Sequence, residues 1–177
     1  RDTGEPDFDS GLYHGLLASK ALLAGEFKEA VREAESGLRA LKRVGASHLP
    51  VVAASMVLVK TLLYSDRGDD SSVGDCFNRA KTIYEQTKAP MLKFLIHFTA
   101  AECALYQDQN ERLSIELKHA LKIARDNDYT SWWFYDPQVT ARLCEKAIEF
   151  GIELEHVHRL TEKRQLAKYF QHRVRFY

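Results

Sequence analysis

Apolar and small side chains return along this chain at three- and four-residue intervals, the period that lines them up on one face of an α-helix. Leu17, Ala18 and Ala21 open the pattern, and Ala30, Ala34, Gly37 and Leu38 continue it. It returns at Val73, Phe77 and Ala80, at Ala101 and Ala104, and at Leu113, Leu117 and Ala120. Helices are predicted near 8–24, 26–44, 48–65, 71–88, 90–106 and 110–127. Turn residues separate them: Gly25, Gly45, Arg67-Gly68-Asp69-Asp70, Pro90 and Gln107-Asp108-Gln109-Asn110. A seventh helix is the best delimited, with Asp136 as N-cap, Pro137 at the first helical position and Gly151 just past the end. Its apolar stripe is Val139, Leu143, Ala147 and Phe150. An eighth, with Leu154, Val157, Leu160 and Leu166 facing inward, completes a terminal pair over 137–166. The two-residue alternation of a strand is nearly absent.

The stretch Gly25-Glu26-Phe27-Lys28-Glu29-Ala30, followed by Ala34, Gly37 and Leu38, resembles a tetratricopeptide repeat (TPR), with Leu17, Ala18 and Ala21 at the large and interlocking positions of its first helix. Ala21 stands where that motif usually has an aromatic. Gly37 to Ala80 is 43 residues and Ala80 to Ala120 is 40, longer than the ordinary period of about 34. In the second repeat the glycine-aromatic turn is replaced by Asp70-Ser71-Ser72-Val73. The expected fold is therefore all-α: about eight helices in antiparallel pairs (8–44, 48–88, 90–127 and 137–166), stacked as a TPR-like superhelical solenoid over residues 1–172.

Composition agrees with one packed domain and changes little else. The chain has 177 residues, 45% of them hydrophobic and 28% charged, with nine Gly and four Pro, which excludes a disordered or fibrous chain. Lys plus Arg equals Asp plus Glu at 25 each, so net charge steers it toward neither nucleic acid nor an anionic membrane. The longest uncharged run, Val44 to Val59, is shorter than the roughly 20 residues of a membrane span and contains Gly45 and Pro50. The start is acidic rather than signal-like, and Cys76, Cys103 and Cys144 are widely spaced within helical patterns, so a cytoplasmic location with free thiols is expected.

Candidate chemistry is thin. His156 and His158 stand two apart, about 200° around a helix, so they cannot share one ion and are expected on a solvated face. Glu155 with Arg159 and His158 with Glu162 are expected as weak surface pairs. No GxSxG, P-loop, GxGxxG, HExxH or CxxC sequence occurs, and the paired carboxylates Glu145 and Glu149 are expected on a helix surface. Arg67-Gly68-Asp69 reads as a helix-connecting turn. The expectation is no enzyme, with no catalytic residue, metal or cofactor. Trp132-Trp133-Phe134-Tyr135 is the densest aromatic segment; one or two rings should plug the core and the others line a surface. The tail from Arg159 is basic, and Arg173-Val174-Arg175-Phe176-Tyr177 alternates as the truncated first strand of a following domain would.

Tyr129-Thr130-Ser131-Trp132-Trp133-Phe134-Tyr135-Asp136-Pro137, with Ala141-Arg142-Leu143-Cys144, Ala147, Gly151-Ile152-Glu153 and His156-Val157-His158-Arg159-Leu160, resembles the end of the helical-repeat region of large bacterial ATP-dependent transcriptional activators of the MalT-like, LuxR-related class. In one subgroup a winged-helix bacterial transcriptional activator domain follows, and residues 173–177 resemble its first strand. The resemblance implies a signalling ATPase upstream, a DNA reader downstream, and in this chain a non-catalytic module that senses an effector. Expected partners are a regulatory protein, a peptide or small-molecule inducer, and adjacent domains of the same chain, with no membrane and no specific DNA binding. The alternative is a structural TPR scaffold or dimerisation module with no effector. The expected binding surface comprises Phe98 and Glu102 on the fifth helix with Trp132, Trp133 and Tyr135.

Overall fold

A turn of one build joins the two helices of each of the four pairs in the structure, a computed structural model that describes residues 8–43, 50–132 and 136–170. It recurs after the sixth helix at Asp128 (φ 53°), where the Tyr129 amide donates to the Ala124 carbonyl at 2.8 Å. Within each pair, one residue adopts the left-handed conformation: Gly25 (φ 74°), Gly68 (φ 68°), Asp108 (φ 54°) and Gly151 (φ 67°). The amide after it donates to the carbonyl five residues back, Glu26 to Ala21 at 2.8 Å, Asp69 to Tyr64 at 2.9 Å, Gln109 to Ala104 at 3.0 Å and Ile152 to Ala147 at 2.8 Å. This six-to-one bond is the Schellman closure, which satisfies helix-end carbonyls and reverses the chain within three residues. Glycine suits the left-handed position because it has no Cβ to clash. The second repeat therefore keeps its turn glycine: Gly68 holds the place of Gly25, and Asp70 replaces only the aromatic.

Eight α-helices are present among the described residues: α1 (Phe8–Leu23), α2 (Phe27–Arg43), α3 (Pro50–Asp66), α4 (Asp70–Thr87), α5 (Pro90–Tyr106), α6 (Asn110–Asp126), α7 (Pro137–Glu149) and α8 (Leu154–Lys163), followed by a 3-10 turn at Leu166–Tyr169. For α1 to α7 the expected bounds hold to within one or two residues where the chain is described; the eighth helix stops at Lys163, and Leu166, expected on it, is buried in the 3-10 turn. The fold is all-α, with no strand among the described residues. Asp69 starts α4 by accepting from the Ser72 amide, and Asp136 starts α7 by accepting from the Gln138 and Val139 amides, with Pro137 at the first turn. Among the described residues no helix is long and apolar enough to cross a membrane.

The chain forms two compact units, Arg1–Leu92 and Lys93–Tyr177. In the first, α1 packs on α2, α3 on α4, and α3 also on α1 and α2. Two glycines permit this. A Cβ on Gly37 would stand 2.8 Å from Met56 Sδ and 3.2 Å from the Gly11 carbonyl oxygen, and a Cβ on Gly11 would stand 2.6 Å from Leu41 Cδ2. The α1 and α2 backbones thus meet where neither has a side chain, and Leu41 and Met56, both fully buried, fill the space left. Lys60 of α3 reaches back to Glu35 of α2 at 2.9 Å.

In the second unit α7 is flanked by α6, α8 and the 3-10 turn. That enclosure corrects one expectation. Glu145, placed with Glu149 on an outer face by four-residue spacing, is only 4% exposed, because a helix covered on several sides buries more than one stripe. Glu149 is exposed and paired with Lys146 at 2.7 Å. A second correction falls on α8. Its inward face is His156, Val157, Leu160 and Thr161, and Leu154 points outward. Glu153 takes a left-handed conformation (φ 46°) just before the helix, and Ile152, two residues before Leu154, is buried while Leu154 is not.

Candidate functional site

The cleft of interest lies in the second unit, where the end of α5, the start of α7 and the 3-10 turn converge. It encloses about 280 Å³ and is lined by Tyr106, Asp136, Gln138, Val139, Arg142 and Tyr169. Each wall has a local cause. Asp136 is fixed by its capping role: Oδ1 accepts from the Gln138 amide at 2.7 Å and the Val139 amide at 3.2 Å, and its carbonyl accepts from Thr140 Oγ1 at 2.6 Å. Arg142 follows one and a half turns later, and its guanidinium lies over the Tyr106 ring, 5.8 Å from the centroid. Tyr169 enters from the 3-10 turn, with the Lys168 ammonium 5.0 Å from its ring centroid.

Beside these residues stands Glu102, one helical turn before Tyr106 on α5. Burial, reinforced by the negative charge of Asp136, pushes its carboxyl up to about 8, against the pull of the Tyr106 hydroxyl and Arg142. At neutral pH the group is mostly protonated, a neutral acid that can donate a hydrogen bond. Burial and the Glu102 carboxylate likewise push the Tyr106 phenol upward. Among the described residues that line the cleft, Arg142 supplies a guanidinium, Asp136 a carboxyl group, and Tyr106 and Tyr169 two flat phenol rings. Such a set can hold a small polar ligand bearing an anionic group and a planar part.

The sequence-predicted surface divides on this structure. Glu102 adjoins the cleft. Phe98 and Trp132 do not line it: they are 7% and 9% exposed and belong to an aromatic cluster in which Phe94 meets Phe98 at 5.3 Å, Trp132 at 4.8 Å and Tyr129 at 5.7 Å between ring centroids. Phe98 and Trp132 meet edge to face at 4.9 Å. Trp132 is the core plug that the aromatic segment was expected to supply, and Phe98, expected on the binding face, is the surface it seals. Trp133 and Tyr135, like the strand-like end at 173–177, lie outside the described residues.

Two further constellations were not anticipated. His97 Nδ1 lies 2.7 Å from Glu116 Oε2, joining α5 to α6, and His14 Nδ1 lies 2.7 Å from Glu33 Oε2, joining α1 to α2. Both pairs are 19 residues apart, and the histidines are separated by 83 residues, the sum of the two repeat lengths. That recurrence was present in the sequence and is the signal that would have found them. The second repeat has Val57 and Cys76 at these positions. The His119 ring lies 5.0 Å from that of His97. Among the described residues no three His, Cys, Asp or Glu side chains come together so as to hold a metal ion.

His156, expected on a solvated face, is 2% exposed. Its Nδ1 faces Arg159 at 3.1 Å, its Nε2 is buried without a hydrogen-bond partner, and burial together with the Arg159 charge holds its imidazole below the usual range. Arg159 turns to Asp128 at 2.9 Å rather than to Glu155. Burial pushes the Cys144 thiol up to about 12 and the Cys76 thiol upward, so neither is a ready thiolate at neutral pH. No family model, no curated protein and no solved structure matches the chain.

Proposed function

We propose that this chain is a non-catalytic sensor and interaction module of a multidomain bacterial transcriptional regulator, working in the cytoplasm. It binds an effector or regulatory partner and passes that event to ATPase and DNA-binding domains elsewhere in the same polypeptide. Its helix pairs stack as a superhelical solenoid, and the chain itself reads no DNA sequence, since its paired helices and zero net charge offer no protruding basic element for a groove.

The observation that carries the reading is the cleft between α5, α7 and the 3-10 turn, where Arg142 is framed by two tyrosines and a neutral carboxyl at Glu102. A small molecule with a carboxylate or phosphate would pair with the Arg142 guanidinium and lay its flat part against a phenol ring. Binding that favours one arrangement of α5 against α7 shifts the population toward it, which is all that an inducer must do.

A thermal-shift screen of the chain against small anionic metabolites at neutral pH tests this. A compound that raises Tm in the chain and not in Arg142→Ala supports the reading. A compound whose effect survives Arg142→Ala places the site elsewhere, and one that is consumed during incubation makes the chain an enzyme. A screen with no active compound favours the scaffold alternative.

A further inference from the structure

The outer face of α1 is apolar and open. Tyr13 is 60% exposed and Leu16 62%, and Leu23 is also exposed. At spacings of three and seven residues they share one face of the helix, with the stem of Lys20 between them and the exposed Phe27 just beyond the turn. Exposed apolar residues scattered singly need no explanation, but a stripe of them does.

The chain's own repeats show what such a stripe is for. Shifted by 43 residues, Tyr13 and Leu16 become Met56 and Val59 of α3; shifted by 83, they become Ile96 and Thr99 of α5. All four of those residues are buried. For Met56 the cover is visible: it fills the space beside Gly37 on α2, the second helix of the preceding pair, with α3 packed on both α1 and α2. Gly37 is one of four small residues that α2 buries, with Ala30, Ala34 and Ala40. The stripe on α1 continues this established interface by one repeat.

We propose that the Tyr13–Leu16–Leu23 stripe of α1 is a docking surface for a partner helix of the α2 type, the second helix of a helical hairpin that presents Gly or Ala at three- and four-residue spacing. A second copy of this chain does not fit, because its small-residue face on α2 is already buried.

The probe is a side-chain-stapled peptide with the α2 sequence, Phe27–Arg43, stapled because an isolated helix of this length is marginal in water. It is titrated into the whole chain while amide chemical shifts are followed. Saturable changes confined to α1 are expected, about tenfold weaker with Leu16→Lys or Tyr13→Lys, and weakened likewise by Gly37→Leu in the peptide. Both chain positions are exposed, so the helical circular dichroism and melt of the variants should match the parent. No saturation at millimolar peptide overturns the proposal. So do changes centred on Met56, which mean that the peptide displaces the chain's own α2. Self-association of the chain that Leu16→Lys abolishes overturns it too, because the occupant is then a second copy.

Discussion

His97 and Glu116 are joined across α5 and α6 by a 2.7 Å contact between Nδ1 and Oε2. Both side chains are about a quarter exposed, and the bond from His97 holds the Glu116 carboxyl below its ordinary 4.5 against a smaller opposing effect of burial. The ionised carboxylate is thus favoured in the folded chain. Its contribution is fully present above the ordinary carboxylate range and is lost as pH falls through the lowered value. Glu116→Gln should cost about 0.5–1.5 kcal/mol in urea unfolding at neutral pH, with the difference from the parent shrinking near pH 3. An equal difference at both pH values would mean that the contact does not depend on the charge.

Two glycine substitutions should act with opposite sign. At Gly37 a new Cβ meets Met56 and the Gly11 carbonyl within van der Waals distance, so Gly37→Ala should destabilise by about 1–3 kcal/mol. At Gly74, inside α4, a Cβ meets nothing within 4 Å, and Gly74→Ala should stabilise by about 0.5–1 kcal/mol through helix propensity. Thermal melts of both variants check this. A neutral Gly37→Ala would show that α1 and α2 are further apart than described.

Glu102 has the opposite linkage to Glu116. Its carboxyl is raised to about 8, so the folded chain holds a proton that the unfolded chain releases near the ordinary 4.5, and the stability this provides fades as pH rises between the two. Glu102→Gln keeps the shape of the neutral acid and removes the ionisation. Its Tm should exceed that of the parent at pH 8 and converge with it below about pH 4.5. A Tm difference that does not change with pH would instead place Glu102 in water.

The helices were legible because their punctuation is local. Gly25, Gly68, Gly151, Pro90 and Asp136-Pro137 each act within a few residues, and small residues at helical spacing expose the packed faces. Only part of the site was legible. Glu102 was identified on α5, but Arg142 and Tyr169 reach the cleft through the way α7 and the 3-10 turn pack on their neighbours, which no single helix encodes. Phe98 was assigned outward because its helix was read alone; its partner Trp132 arrives from 34 residues downstream and buries it. His156 and Glu145 misled for the same reason. Polar residues signal solvent only when no other element covers them, and α7 and α8 are covered on several sides.

The fold is four helix pairs, each closed by one kind of turn, and backbone chemical shifts of the chain in solution test that most directly. The predicted result is helical shifts over α1 to α8, interrupted by left-handed values at Gly25, Gly68, Asp108 and Gly151. Asp108 is the most demanding of the four, because only the shared turn, and not glycine, explains its φ of 54°. Helical shifts running unbroken through Asp108, or strand shifts within any of the eight segments, would contradict the account.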